Sequence, residues 1–164
     1  MRDTLLTLNA VYFLFGSTIY VGIMWSLRFF FYPSWVSMTL DNVQAHFIVP
    51  TSKATQFFLV VVPLMFVSGL ITLITEWGEG APFVAMAVAY AGIAASTYVG
   101  WLHIIPVNRT IRDGVKDEAT LQVLLKKWMF LNNIRWVTTT IMWSSVVWYF
   151  VVRGHFMDFV GGGG

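Results

Sequence analysis

Arg28, His103 and Arg135 are the side chains that call for a chemical explanation, because each stands in a long apolar run where an ionisable group is out of place. Burying such a group in hydrocarbon costs about 2.5 to 3.5 kcal/mol on insertion scales, so it pairs, lines a cavity or reaches the surface. Arg28 lies near the end of the first run, His103 near the end of the third and Arg135 near the start of the fourth. Helices that alternate in direction bring the three to one level. Helical spacing extends each position: Trp25, Arg28 and Tyr32 share a face, Ser96 shares one with His103, and Trp128, Asn132, Arg135 and Thr139 align. A polar pocket walled by aromatics follows, with two guanidinium groups that repel unless an acceptor lies between them. No carboxylate is expected at that depth, so a bound oxyanion or polarised carbonyl fits. A second reading fits as well: each Arg snorkels to lipid phosphate, and the His bonds a backbone carbonyl.

Other chemistries lack their residues. Without cysteine the chain holds no disulfide, thiolate nucleophile or thiolate-ligated cluster. The histidines are His46, His103 and His155; none stands at ligand spacing from His103, and His155 falls on the opposite side, so no metal, haem or other cofactor is expected. The net charge of +2 includes no basic cluster interleaved with aromatics, which speaks against nucleic acid as a partner.

The elements that position these residues are membrane spans. Hydrophobic residues make up 57% of the chain and charged ones 11%, gathered in runs long enough for a bilayer core of about 30 Å, or about 20 residues per helix. Four runs qualify: Leu8 to Phe31, Gln56 to Thr75, Pro82 to Ile105, and Ile134 to Val152. The expected fold is all-α, a single four-span bundle over residues 1–160, followed by a glycine tail at 161–164 to which no role is assigned. The N-terminal run has no small-residue cleavage signal and reads as a retained anchor.

Glu76 to Gly80 is a short, Gly-broken link that makes spans two and three an antiparallel hairpin. In the first connection Val36, Leu40, Val43 and Phe47 recur at helical spacing until Val49-Pro50, which predicts a short amphipathic helix on the membrane surface, with His46 on it. In the third, Gly114 breaks the pattern, and Leu121, Leu124, Leu125 and Trp128 then carry helical spacing from Asp117 into span four, so that helix should protrude. Arg109, Arg112, Lys116, Lys126 and Lys127 crowd that connection and Lys53 the first, which puts both in the cytoplasm and both termini outside, in the cytoplasmic membrane.

Tyr20-Val21-Gly22 followed by Pro33, the Pro106-Val107-Asn108 turn, and Trp128 with Asn132, Asn133 and Arg135 together resemble the small four-span membrane proteins related to anthrone oxygenase. The likeness covers most of the chain, and its most specific part is the Pro-x-Asn turn with the Trp and Asn-x-x-Arg spacing. It implies oxidation of polycyclic phenolic anthrones to quinones by dioxygen without metal or flavin. By the match Asn108 and Arg135 become pocket residues, and His103 becomes the base for a phenolic proton. Arg28 and the aromatic stretch Phe29 to Tyr32 before Pro33 depart from the pattern.

Two functions fit. One is binding or oxidation of an apolar, oxygen-bearing aromatic of phenol or quinone type at the cytoplasmic leaflet, with His103 catalytic and Arg28, Tyr32, Asn108, Trp128, Asn132 and Arg135 on the substrate. The other is a non-catalytic accessory subunit of a respiratory, oxidase or photosynthetic membrane complex. The expected partners are the lipid bilayer, such a ligand, and a larger complex or further copies of the chain.

Overall fold

The computed structural model describes residues 2–154, with side chains from residue 4 onward; His155 and the glycine tail lie outside the described residues. Every regular element among them is helical. Helix α1 runs as Arg2–Ser26, Leu27–Phe31 and Tyr32–Trp35 without interruption; α2 comprises Gln44–Ile48 and Val49–Thr75; α3 comprises Ala81–Val99, Gly100–Ile104 and Ile105–Arg112; α4 is Glu118–Val152. Of these, α1 from Thr4, α2 and α3 are long and apolar enough to cross a membrane, each with 32 such residues.

Those three helices share a device. Leu27–Phe31, Gln44–Ile48 and Gly100–Ile104 are π-helical turns, in which Tyr32, Val49 and Ile105 each donate to the carbonyl five residues back. In each case a proline follows at once: Pro33, Pro50 and Pro106. Proline has no N–H to give, and its ring clashes with the carbonyl four residues back; a widened turn absorbs that clash and lets the helix continue. Two expectations change as a result. Val49-Pro50 does not stop a helix, and Pro106-Val107-Asn108 is not a turn after span three but a helical stretch reaching Arg112.

The separate surface helix in the first connection is also absent. Residues 36–42 form turns, and the helix that starts at Gln44 runs straight into α2. Met38, Val43 and Phe47 are buried against Leu121, Leu125 and Trp128 of α4, and Gln122 Nε2 donates to the Met38 carbonyl at 2.6 Å. Apart from Val36, which is exposed, the apolar side of this connection faces protein, so a lipid-facing helix has little left to bury. Trp35, Phe47 and Trp128 form its centre, with ring centroids 5.1 to 5.2 Å apart.

The remaining connections follow the sequence. Glu76 to Gly80 is a tight turn with positive φ at Gly78 and Gly80, and Gly114 breaks the chain between α3 and α4 at φ 104°. Asp117 caps α4, accepting from the Thr120 amide at 2.8 Å. That hydrogen bond holds its carboxyl below the ordinary carboxylate value. With 35 residues, α4 is about 52 Å long at 1.5 Å per residue, well beyond a bilayer core of about 30 Å. It packs closely on α3: a Cβ on Gly92 would lie 2.9 Å from Met142 Cβ and 3.0 Å from the Thr138 carbonyl oxygen.

At the hairpin end Glu76 is buried, accepting from the Tyr149 hydroxyl at 2.8 Å and from Arg153 Nε at 3.0 Å, with Arg153 Nη2 on its second oxygen. The sequence marks Glu76 only as the start of the short hairpin link. Its meeting with Arg153 needs the turn to fold back over the end of α4, which spacing does not reveal.

Candidate functional site

A cavity of about 590 Å³ lies among α1, α2 and α3, with Trp128, Asn132 and Arg135 of α4 as its back wall. Pro63 is on its wall. Inside α2 it cannot donate to the Leu59 carbonyl, a loss of about 3 kcal/mol or more in an ordinary helix. Leu59, Val62, Pro63 and Phe66 line the cavity together with Tyr20 of α1 and Thr97, Gly100 and Trp101 of α3.

Arg135 provides the charge. Its Nη1 donates to Asn132 Oδ1 at 2.9 Å, its Nη2 to the Tyr20 hydroxyl, and its Nε reaches Ser96 Oγ at 3.5 Å; its Cζ is 5.4 Å from the centroid of the Tyr20 ring. Tyr20 and Ser96 share a further bond of 2.9 Å. All three partners are neutral, and among the described residues two of the five guanidinium N–H groups have no acceptor. Gly100 makes room, since even a Cβ there would be 3.7 Å from the guanidinium carbon. Thr97 Oγ1, on a residue of the same wall, is buried without a hydrogen-bond partner.

Asn108 marks the other end. Its Oδ1 accepts from Trp128 Nε1 at 2.7 Å, which turns its Nδ2 donor elsewhere. Next to it a second cavity of about 280 Å³, lined by Thr51, Ser52, Thr55, Gln56, Arg109 and Arg112 among others, shares Thr51, Thr55, Ile105 and Asn108 with the first. A polar vestibule carrying two arginines thus adjoins the inner space.

Of the residues expected at one site, Asn108, Trp128, Asn132 and Arg135 meet on this cavity. Tyr32 does not line it; its ring packs on Trp35 and Trp128, and its hydroxyl donates to the Met129 carbonyl at 3.4 Å. Arg28, on α1, stands apart against α4, donating to Asn133 Oδ1 with its Cζ 4.6 Å from the centroid of Trp136. Asn133 accepts its hydrogen bond and the Trp136 ring faces its charge, so no anion between Arg28 and Arg135 is required. His103 is exposed, lines neither cavity, and stands edge-on to Tyr98 at 6.1 Å.

The displacement of His103 has a specific cause. Counting seven residues on from Ser96 puts it on the buried face, but the wide turn Gly100–Ile104 inserts one residue, and Ile104 takes that place. Tyr20 and Thr97 were missed as site residues; Tyr20 was visible only through the family likeness, and nothing in the spacing marks Thr97. Among the described residues no group of three or more His, Asp or Glu is placed to hold a metal ion. The chain matches no family model, no curated protein and no solved structure.

Proposed function

We propose that this chain is a four-span membrane protein that binds an apolar, oxygen-bearing aromatic of phenol or quinone type, with Arg135 as the donor to its oxygen. The observation that carries the reading is Arg135 itself: a guanidinium on the wall of an apolar cavity, with only neutral partners and two N–H groups to spare. Such a group favours a polarised oxygen, and the hydrocarbon walls favour a ring behind it. The likeness to anthrone oxygenases points to the same ligand class. His103, on an exposed face, does not reach the ligand, so binding rather than proton removal by that residue is the proposed activity.

In this reading α4 is the fourth span. Its Ile134–Val152 part is about 28 Å long, enough for a bilayer core. It is less apolar than the others because of Thr138, Thr139 and Thr140, whose hydroxyls donate to carbonyls of their own helix and so need no water. The basic residues around Arg109 to Lys127 support a reading with the vestibule in the cytoplasm and both termini outside.

The test is Arg135→Met in lipid nanodiscs, titrated with 2,3-dimethoxy-5-methyl-1,4-benzoquinone while quenching of cavity-wall Trp35, Trp101 and Trp128 is followed. Losing charge-assisted donors should weaken binding roughly tenfold to a hundredfold at unchanged helix content. Equal binding by the folded variant removes Arg135 from the site and leaves the accessory-subunit reading in its place.

A further inference from the structure

The cavity has a shape as well as a lining. On α2 its wall recurs turn after turn, through Pro50, Ala54, Phe58, Val62 and Phe66, which at 1.5 Å per residue is a length of about 24 Å. Spread over that length, a volume of about 590 Å³ gives a slot about 5 Å across, close to the width of one extended carbon chain packed at contact distance. A single ring needs far less, since a cavity of about 150 Å³ accommodates benzene. The slot is therefore several times too large for a ring alone.

Its two halves differ. Tyr20, the partner of Arg135, stacks on Phe58 at 4.6 Å, which puts the guanidinium near the middle of the slot. From there towards Pro50 the wall carries Asn132, Asn108, Thr55 and Thr51; in the other direction α2 offers Val62, Pro63 and Phe66. Asn108, held by Trp128, and the Arg135 guanidinium, held against Asn132 one turn further along α4, present donors at successive levels of this wall, the arrangement that suits a ring with oxygens at opposite ends. On the apolar side Leu59 and Pro63 are exposed as well as lining, so the slot opens sideways where a membrane helix meets lipid.

We infer that the occupant is a lipid-tailed quinone or hydroquinone taken from the bilayer, its ring bracketed by Arg135 and Asn108 and its chain running along Val62, Pro63 and Phe66 towards the lipid. This rests on the ligand class proposed above and adds the chain, the ring orientation and the route of entry.

The experiment compares decylubiquinone with the same quinone lacking a chain, against wild type, Val62→Trp and Leu59→Trp in nanodiscs of one saturated phosphatidylcholine. Partition into lipid is identical for every variant, so the ratio of the two affinities isolates the slot. Filling its apolar half with Val62→Trp should weaken the chain-bearing quinone about tenfold and leave the short one within about threefold. Leu59→Trp, at the exposed rim, should act the same way and serves if Val62→Trp does not fold. Equal effects on both quinones, or none on either, overturn the inference while the ring site stands. Failure of both quinones to bind the wild type overturns the ligand class and the inference with it.

Discussion

The Glu76–Arg153 pair predicts an asymmetry between its two ends. The Glu76 side chain is 6% exposed and that of Arg153 37%, so the two are not equally free to find water once the partner is gone. Replacing Arg153 with Met leaves a buried carboxylate with the Tyr149 hydroxyl alone, and stranding a buried charge costs about 3 to 5 kcal/mol; the half-open rim and surviving hydroxyl favour the lower figure, about 3 kcal/mol. Replacing Glu76 with Gln leaves an Arg that can turn outward and an amide oxygen that still accepts from Tyr149, a loss nearer the surface-pair range of about 1 kcal/mol. At about 2 to 4 °C per kcal/mol for a chain of this size, thermal unfolding in one micelle system should show a Tm drop of about 6 to 12 °C for Arg153→Met and about 2 to 4 °C for Glu76→Gln. The double variant, with neither charge, should resemble Glu76→Gln. A Glu76→Gln variant at least as damaged as Arg153→Met, or a double variant showing the sum of the two losses, would refute the burial argument.

Further outcomes are open to measurement. Gly92→Ala should destabilise by about 1 to 3 kcal/mol, because the new methyl meets the Met142 Cβ and the Thr138 backbone oxygen; an unchanged unfolding midpoint would contradict the close α3–α4 contact. Asp117→Ala should speed amide exchange at Thr120 and leave the cavity intact. Since the carboxyl sits below its ordinary value of 3.8, the cap is complete above that pH and is lost as pH falls through the lowered value, so protection of the Thr120 amide relative to its intrinsic exchange rate should fall down that range. A reporter fused after Phe159 should be active only outside the cytoplasm; activity inside would reverse the orientation and leave the helices in place.

Hydropathy and punctuation made the helices legible. Apolar runs marked α1, α2 and α3, Gly78 and Gly80 marked the hairpin, and Asp117 followed by a leucine pattern marked the start of α4. The site was legible where side chains lie on one regular stretch: Trp128, Asn132 and Arg135 follow each other along α4 and meet one cavity. It failed where counting crossed a widened turn, as with His103. It failed again where a partner came from a remote stretch, as with Asn133 and Trp136 around Arg28, or Glu76 beneath Arg153. The first connection misled for a similar reason. Its apolar spacing is real, but the surface it covers is α4, and period alone does not name the partner of an amphipathic segment.

The turns at Leu27–Phe31, Gln44–Ile48 and Gly100–Ile104 give the chain an uncommon tolerance of length change. Deleting one residue from a regular helix swings everything beyond it by about 100°, which in a packed membrane protein turns core side chains towards lipid. Deleting one residue from a widened turn leaves the faces on either side aligned, but the proline that follows then meets the carbonyl four residues back, so the deletion is tolerated where the proline is lost with it. Relatives that lose one such residue and its proline together would differ in length inside a span and still present Tyr20, Asn108 and Arg135 to the same space.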